Sequence, residues 1–359
     1  TFKNGTTVDY VVEKNYGTTN SEIGVPGNMT KTGYTFAGWG TELSGGTVYK
    51  PTDIPSVTSD VTYYAQWTVN EYTYNIEYKS SSGKSLGSTT VTGTFGTITT
   101  VTAPAKTGYT TPSSQTVVFD SANAKTITFT YEIINYTISY TLNDGSVTGN
   151  PTSYNVESAA ITLKNPSKTG YTFTGWTGAN GTTAQTSVTI ASGSTGNKSY
   201  TANFTINKYT ITFNPTGGTF KNGTTVDYVV EKNYGTPNSE IGVPGNMTKT
   251  GYTFVGWGTE LSGGTIYEPT SVPAVTGDIT YYAQWKGISY SVKFNANGGT
   301  GTMDTQTGFI YGTKTALQIN KFTKEGYTFL GWSKDKDATT ATFLLFSQIR
   351  QWSRILYRD

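Results

Sequence analysis

Acidic side chains at recurring positions are the first candidates for chemistry in this sequence. The chain contains no histidine and no cysteine, which excludes imidazole bases, thiolate nucleophiles and the usual zinc ligands. A pair of carboxylates hydrolyses glycosides when one acts as an acid and the other attacks the sugar or activates water. The recurring acids are Asp9 and Asp227, Glu13 and Glu231, Glu22 and Glu240, Glu42 and Glu260, and Asp60 and Asp278.

Duplication explains these carboxylates better than catalysis does. Thr219–Trp285 repeats Thr1–Trp67 almost unchanged, and the rest of the chain lacks equivalent acids. Apolar positions exchange one aliphatic residue for another, while the charge at polar positions varies between the copies. This is expected of a packed core beneath a surface that tolerates substitution. The first copy differs from the second at Thr19, Ala37, Val48, Lys50, Asp53, Ile54, Ser56, Ser59 and Val61. We therefore predict a protein that is not an enzyme and uses no cofactor.

Turns rich in Asn, Asp and Gly resemble parts of calcium-binding loops. They occur at 143–145 and 295–298. A calcium loop needs several oxygen ligands at a fixed spacing, and neither turn supplies such a set. Because Asn and Gly tolerate positive φ, hairpin turns explain both stretches. We predict no metal site.

Aromatic side chains are the remaining candidates for ligand binding. The apolar face of a sugar ring packs well on a phenol or indole plane. Tyr63 is adjacent to Tyr64, and Tyr281 is adjacent to Tyr282. In a strand, neighbouring side chains point to opposite faces, so one tyrosine of each pair faces away from the core. We predict that glycans or neighbouring modules contact these four tyrosines.

One motif, Gly-Tyr-Thr-Phe-x-Gly-Trp, organises the elements that would position these residues. It begins at Gly33, Gly170, Gly251 and Gly326, and a weaker copy begins at Gly108. The Tyr and Phe of the motif are two residues apart and share one face of a strand. The Trp lies three residues beyond the Phe, so we predict a bend or bulge at the second glycine that turns the indole inward.

Recurrence of this motif beside freely drifting charges predicts that its aromatic residues form the core of each module. We expect the motif tryptophans to be largely buried. The predicted core residues are Tyr34, Phe36, Trp39, Trp67, Tyr171, Phe173, Trp176, Tyr252, Phe254, Trp257, Trp285, Tyr327, Phe329 and Trp332.

Composition agrees with a β-rich array. The chain has 359 residues, a net charge of +2 and 14% aromatic residues. Thr, Val, Tyr and Phe suit strands, the light charge offers no footprint for nucleic acid, and no apolar run is long enough to span a membrane. We predict a mostly β, elongated tandem array of about five small modules. The first to fifth modules are residues 1–69, 70–134, 135–206, 207–287 and 288–359.

Both ends of the chain depart from the repeat. The first module lacks the opening strand that Tyr209–Asn214 gives the fourth, and the chain begins inside a repeat without Met, so we expect a fragment or processed product. The fifth module is incomplete, and its tail 343–359 holds all three arginines. Two explanations of the tail are open, an amphipathic basic helix that docks on a partner or a membrane and a frameshift, assembly error or premature end in the gene.

The combined pattern resembles a known family. Phe213-Asn214, Gly217-Gly218, Lys249–Trp257 and Asp278–Trp285 are similar to the internalin B-type repeat, also called the Listeria–Bacteroides repeat, of bacterial surface proteins. Residues 70–134 resemble the mucin-binding-protein type of repeat. The resemblance implies β-grasp-like modules on a secreted or wall-attached protein, and it brings no catalytic residues.

The predicted function is that of a non-catalytic extracellular stalk, spacer or adhesive segment at the bacterial cell surface. Two alternatives are open. The modules bind cell-wall or host glycans or proteins, or the chain self-associates into a surface filament or sheath through exposed strand edges. We expect no cofactor, nucleic acid or membrane span in any of these functions.

Overall fold

The computed structural model describes residues 1–27, 29–341, 348–349 and 355–358, without the side chains of Asp9 and of the last two segments. The described residues fold into small β-sheets in tandem and two helices of four residues each. The chain forms two compact units. One contains residues 1–141, 148–164 and 176–201, and the other contains 142–147, 165–175 and 202–359.

The first module is built on one five-stranded sheet. Its elements are β1 (Phe2–Asn4), β2 (Thr7–Tyr10), α1 (Asn20–Ile23), β3 (Tyr34–Gly40), β4 (Val48–Tyr49) and β5 (Tyr63–Val69). The strand order is β2-β1-β5-β3-β4, and β1 runs parallel to β5. The place of the opening strand, which the sequence lacks, is therefore occupied by the three residues of β1.

The second module places its long strands in one sheet and two short strands in another. The elements are β6 (Glu71–Ser80), β7 (Ser85–Thr94), β8 (Ile98–Val101), β9 (Tyr109–Thr110), β10 (Gln115–Val118) and β11 (Thr126–Ile133). The orders are β7-β6-β11-β9 and β10-β8, with β6 and β11 parallel. The alternation along β6 buries Tyr74, Ile76 and Tyr78 on one face, as a half-buried strand requires.

The third module repeats the parallel pairing of first and last strands. Its strands are β12 (Asn135–Thr141), β13 (Ser153–Asn155), β14 (Ile161–Thr162), β15 (Tyr171–Gly178), β16 (Gly181–Gln185), β17 (Thr189–Ile190) and β18 (Lys198–Ile206). Ile138 to Thr141 of β12 pair in parallel with 198–201 of β18. Strand β13 pairs antiparallel with β12, and β16 pairs antiparallel with β15 at Trp176.

The fourth module has the full-length version of the first module's sheet. Its elements are β19 (Lys208–Asn214), β20 (Tyr228–Asn233), α2 (Asn238–Ile241), β21 (Tyr252–Gly258), β22 (Ile266–Tyr267) and β23 (Ile279–Gly287). The order β20-β19-β23-β21-β22 places β19 between β20, with which it is antiparallel, and β23, with which it is parallel.

The fifth module is formed by shorter pairings. Its strands are β24 (Ser289–Val292), β25 (Gln306–Ile310), β26 (Thr315–Ala316), β27 (Thr328–Trp332), β28 (Gln348–Ile349) and β29 (Ile355–Arg358). The last two strands belong to the tail 343–359 and pair with β26 and β27. The helical hypothesis is therefore wrong for these six residues, while the remainder of the tail lies outside the described residues.

A bulge at the second motif glycine turns the tryptophan into the core. In the fourth module Phe254 pairs with Trp285 and Gly256 with Gln284, so one extra residue is accommodated between them. Gly256 has φ +149°, and a Cβ on it would lie 2.0 Å from the carbonyl oxygen of Tyr267. Only glycine fits this close approach. The bulge that the spacing predicts is confirmed.

The motif indoles lie at the centre of their modules. Trp257 packs against Phe213 with ring centroids 4.9 Å apart, and its Nε1 donates a hydrogen bond to the carbonyl oxygen of Pro244 at 3.0 Å. Full burial of an aromatic side chain contributes about 2 kcal/mol or more. The motif tryptophans are at most 2% exposed: Trp39, Trp176, Trp257 and Trp332.

The other predicted core residues are half-buried. Ring contacts join the motif phenylalanine to the enclosed tryptophan, as between Phe254 and Trp257 at 5.3 Å. The half-buried motif phenylalanines, and the half-buried tryptophans in the last strands of the first and fourth modules, are Phe36, Phe173, Phe254, Phe329, Trp67 and Trp285. The half-buried motif tyrosines are Tyr34, Tyr171, Tyr252 and Tyr327. The tyrosine stands at or near the start of its strand, so its ring lies toward the end of the module and not at its centre.

Replacing Gly256 by alanine is expected to destabilise the fourth module by about 3 kcal/mol, because the new Cβ meets the Tyr267 carbonyl oxygen at a strained φ. Denaturant unfolding of the intact chain measures the change. Gly277→Ala is the matched control, since nothing lies within 4 Å of a Cβ there. Equal stability losses in the two variants would refute the requirement for glycine at the bulge.

Candidate functional site

The structure divides the four tyrosines that the sequence proposes as contact positions into two that are buried and two that are half-buried. Tyr63 and Tyr281 are 7% and 3% exposed, and burial raises the pKa of Tyr281 to about 12. Phe2 stacks on Tyr63 and Phe213 stacks on Tyr281, each at 5.5 Å. These two tyrosines are core residues whose ring faces a glycan cannot reach, because the parallel pairing of β1 with β5 and of β19 with β23 covers them.

Tyr64 and Tyr282 are half-buried on the opposite faces of the same strands. The Nζ of Lys3 lies 6.0 Å from the ring centroid of Tyr64. The prediction of a glycan or module contact is therefore restricted to these two side chains.

A more extensive constellation lies where one module ends and the next begins. A single residue separates the last strand of each of the first four modules from the first strand of its successor. These linker residues are Asn70, Ile134, Asn207 and Ile288.

Each linker residue is hydrogen-bonded to the motif of the module that it leaves. The N–H of Asn207 donates to the carbonyl oxygen of Gly170 at 2.9 Å, and the N–H of Ile288 donates to that of Gly251 at 2.9 Å. The same bond joins Asn70 to Gly33 at 2.9 Å and Ile134 to Gly108 at 3.1 Å. The first motif glycine therefore fixes the backbone of the following linker.

The linker carbonyl is bonded to the next module in three of the four junctions. The N–H of Phe95 donates to Asn70, that of Tyr234 to Asn207 and that of Tyr311 to Ile288, at 2.9, 2.8 and 3.0 Å. Both backbone groups of the linker residue are thus satisfied without water, which restricts its rotation. We call Phe95, Tyr234 and Tyr311 the latch side chains.

The ring of each latch side chain lies on the first motif glycine of the preceding module. A Cβ on Gly33 would lie 2.1 Å from Phe95, one on Gly170 would lie 2.0 Å from Tyr234, and one on Gly251 would lie 2.3 Å from Tyr311. All three glycines have φ between +76° and +79°. Both the conformation and the close contact exclude any larger residue.

The motif tyrosine extends this contact. Tyr34 meets Phe95 edge-on at 6.0 Å between ring centroids, and Tyr252 meets Tyr311 edge-on at 5.2 Å. Edge-to-face pairs of this kind contribute about 1 kcal/mol beyond their burial. The motif tyrosine is therefore a junction residue in these modules. The sequence had predicted a core position for it.

The lysine before each motif lies over the ring of that motif's tyrosine. The Nζ to ring-centroid distances are 4.0, 4.4, 5.0 and 4.1 Å. The pairs are Lys31 with Tyr34, Lys168 with Tyr171, Lys249 with Tyr252, and Lys324 with Tyr327. Cation–π contacts explain the recurrence of lysine before the motif.

The junction after the second module uses different side chains. Val156 takes the latch position, 2.6 Å from a Cβ on Gly108. Glu157 accepts hydrogen bonds from the hydroxyls of Ser82 and Tyr109, at 2.6 and 2.8 Å. The Ser82 hydroxyl lowers the pKa of Glu157, while burial and the Glu157 bond raise the pKa of Tyr109 to about 12. A carboxylate at neutral pH thus joins these two modules.

A short sequence signal identifies the latch side chains. Each is an aromatic residue followed by Gly-Thr, and this aromatic-Gly-Thr triplet begins at Phe95, Tyr234 and Tyr311. The first module has the triplet at Tyr16, whose side chain is 83% exposed. Sequence reasoning missed these residues because it followed only the stronger motif.

Two features are absent from the described part of the chain. Among those residues, no group of three or more Asp or Glu side chains is placed to hold a metal ion. No helix in the same residues has the length and apolar character needed to cross a membrane.

Replacing Tyr234 by alanine is expected to lower the free energy of unfolding of the fourth module by about 2 kcal/mol, because the ring loses its contact with Gly170. The control is Tyr16→Ala, which changes the same triplet where the ring is exposed and should alter stability by less than about 0.5 kcal/mol. Thermal and denaturant unfolding of the intact chains give both values. Equal stability losses in the two variants would contradict a contribution of the Tyr234 ring to the junction.

Two known proteins illustrate the relationships of this chain. A protein of Evansella cellulosilytica, described as a Gly-rich membrane protein, is 30% identical over 336 residues, which cover 89% of this chain and 37% of the relative. Internalin H of Listeria monocytogenes is 29% identical over 260 residues, covering 71% of this chain and 38% of the relative. The chain therefore spans less than two-fifths of either relative.

The repeats themselves match a family model. The Listeria–Bacteroides repeat domain matches residues 1–66, 136–206, 209–284 and 290–346. Each of these stretches contains one copy of the motif. The resemblance of 70–134 to the mucin-binding-protein type stays a prediction. With matches over most of its length, the chain belongs to the Listeria–Bacteroides repeat family.

Proposed function

We propose that this chain is a non-catalytic spacer in the extracellular part of a bacterial cell-surface protein. The observation that carries the proposal is the latched junction, in which a one-residue linker, a bare glycine and a ring from the next module meet. Such a junction suits a spacer because it limits bending between consecutive modules. A membrane protein and an internalin among the relatives support a location at the cell surface.

Each junction resists bending through several contacts of short range. Rotation about the linker breaks its two backbone hydrogen bonds and lifts the latch ring from the glycine. In the first junction the hydroxyl of Thr35 also donates to the side-chain oxygen of Asn70 at 2.6 Å, and Thr172 donates to Asn207 in the same way at 2.7 Å. In arrays of this kind stability is the sum of module terms and nearest-neighbour terms, so each junction stiffens independently of the others.

Spin-label distances between the fourth and fifth modules test the proposal. Because the chain has no cysteine, Leu261→Cys and Ile319→Cys, both at sites 66% exposed, create a unique label pair. We expect a narrow distance distribution that Tyr311→Ala broadens. Val226→Ala, at a site 69% exposed, is the control and should leave the distribution narrow. A broad distribution in the chain that carries only the two cysteine substitutions would show that the junction does not stiffen the array, and the spacer proposal would fail.

Glycan binding is the second candidate function, and Tyr64 and Tyr282 are the observation that favours it. Their half-buried rings lie at equivalent places in two modules, so each module offers the same aromatic side chain to a sugar. A glycan array probed with the intact chain should give signals that weaken severalfold in the Tyr64→Ala and Tyr282→Ala double variant. A silent array rejects this function. Tyr72→Ala, which changes a half-buried ring in a different module, is the control.

A further inference from the structure

In the second, third and fourth modules the first and last strands lie side by side and run in the same direction. These parallel pairs are β6 with β11, β12 with β18, and β19 with β23. The single linker residues join the start of the first strand and the end of the last. Since parallel neighbours start at the same end, the chain enters each module at one end of the pair and leaves it at the other. We call each pair the terminal strands of its module.

The register shows how tension acts on the fourth module. Ile211 of β19 lies opposite Ile279, where β23 begins, and Asn214 lies opposite Tyr282. Strand β23 then continues to Gly287. A pull on the two linkers therefore draws β19 and β23 in opposite directions along their own lengths. The hydrogen bonds of a parallel ladder run between the strands, so they share this load instead of breaking one after another.

The terminal strands are also central strands of their sheets. In the order β20-β19-β23-β21-β22, each of the two has a second neighbour on its other side. The sheets of the second and third modules, β7-β6-β11-β9 and β13-β12-β18-β15-β16, have the same arrangement. Neither terminal strand can therefore peel away from an open edge, and sliding one of them breaks contacts with two neighbours.

Each pair of terminal strands holds two aromatic rings in direct register. The ring centroids are 5.5, 6.2 and 6.0 Å apart in the three pairs. The pairs are Phe213 with Tyr281, Tyr140 with Tyr200, and Tyr78 with Phe129. A slip of one residue would turn the ring of the first strand out of the core and bring a polar neighbour in. The rings therefore oppose sliding along the direction of tension.

A side chain adds one hydrogen bond at the end of the ladder where the first strand takes the load. The N–H of Thr210 donates to the Asp278 carboxylate at 2.7 Å. In the third module the N–H of Thr137 donates to the side-chain oxygen of Asn197 at 3.0 Å. Asp278 and Asn197 each directly precede the last strand of their module. An acid and an amide thus fill the same place, since both supply an acceptor oxygen.

We propose that these modules bear tension, with the terminal strands as the clamp that resists it. The proposal rests on the spacer function, because a spacer between a cell surface and a bound object is stretched whenever the two are pulled apart. Under tension along the chain, the hydrogen bonds and ring pairs of the clamp are loaded together in shear. A module then stays folded until the whole clamp breaks in one step.

Single-molecule unfolding of the fourth module in two pulling directions tests the clamp. The intact chain has no cysteine, so pairs of introduced cysteines receive the handles of an optical trap. Lys208→Cys with Lys286→Cys pulls the terminal strands from opposite ends, and Lys208→Cys with Thr276→Cys pulls both from the same end. All three sites are exposed. The four residue pairs of the ladder share the load in the first direction and bear it one at a time in the second, so we expect a rupture force about threefold higher for the opposite-end pair.

Two variants that carry the opposite-end cysteine pair test the side-chain bond. Asp278→Ala should lower the rupture force by about a fifth, because one of about five connections between the strands is lost. Asp278→Asn is the matched control and should keep the force, since Asn197 accepts the equivalent bond in the third module. A rupture force that Asp278→Ala leaves unchanged would overturn the assignment of the load to this ladder.

Equal rupture forces in the two pulling directions overturn the proposal as a whole. The spacer function would stand in that case if the spin-label distances between the fourth and fifth modules are narrow, because those distances measure bending at a junction and not resistance to unfolding. A broad spin-label distribution together with a direction-dependent rupture force would remove the spacer function and retain the clamp.

Discussion

The contact between a bare glycine and an aromatic ring of the next module is the interaction on which the array depends. A ring can reach the backbone this closely only where no Cβ intervenes, and the positive φ of Gly33, Gly170 and Gly251 reserves these positions for glycine. The same glycine accepts the hydrogen bond of the linker residue. One residue therefore sets both the direction in which the chain leaves a module and the surface on which the next module rests.

Some side chains of the motif lie inside the module, and others lie at its end. Its tryptophan is enclosed by way of the bulge at the second glycine, and its phenylalanine packs beside that indole. Its tyrosine lies at the end of the module, where a lysine lies over its ring and a ring of the next module meets it edge-on. A stretch of seven residues thus provides a core, a turn and a docking surface, which explains why it recurs while the charges around it vary.

The first and fourth modules show how far tertiary partners decide local structure. Near-identical sequences form the same sheet order, and in both a phenylalanine sits on the enclosed tryptophan. The residues 10–15 and 228–233 are identical, yet only the second set is a complete strand. Strand propensity is weak beside the pairing and packing that a neighbouring strand offers, so an edge without a partner remains irregular.

The sequence by itself determined the β class, the tandem modules, the bulge and the family, because each leaves a short-range signature of residue type and spacing. The bulge at Gly256 and the inward position of Trp257 follow from the separation of these residues from Phe254 alone. The sequence also suggested four contact tyrosines, and it could not tell which face of the strand each would take. Tertiary structure decided that Tyr63 and Tyr281 are covered by the parallel first strand. It likewise decided that Phe95, Tyr234 and Tyr311 meet a glycine some 60 residues earlier. Such contacts depend on how two folded modules meet, and no local pattern of apolar residues records that geometry.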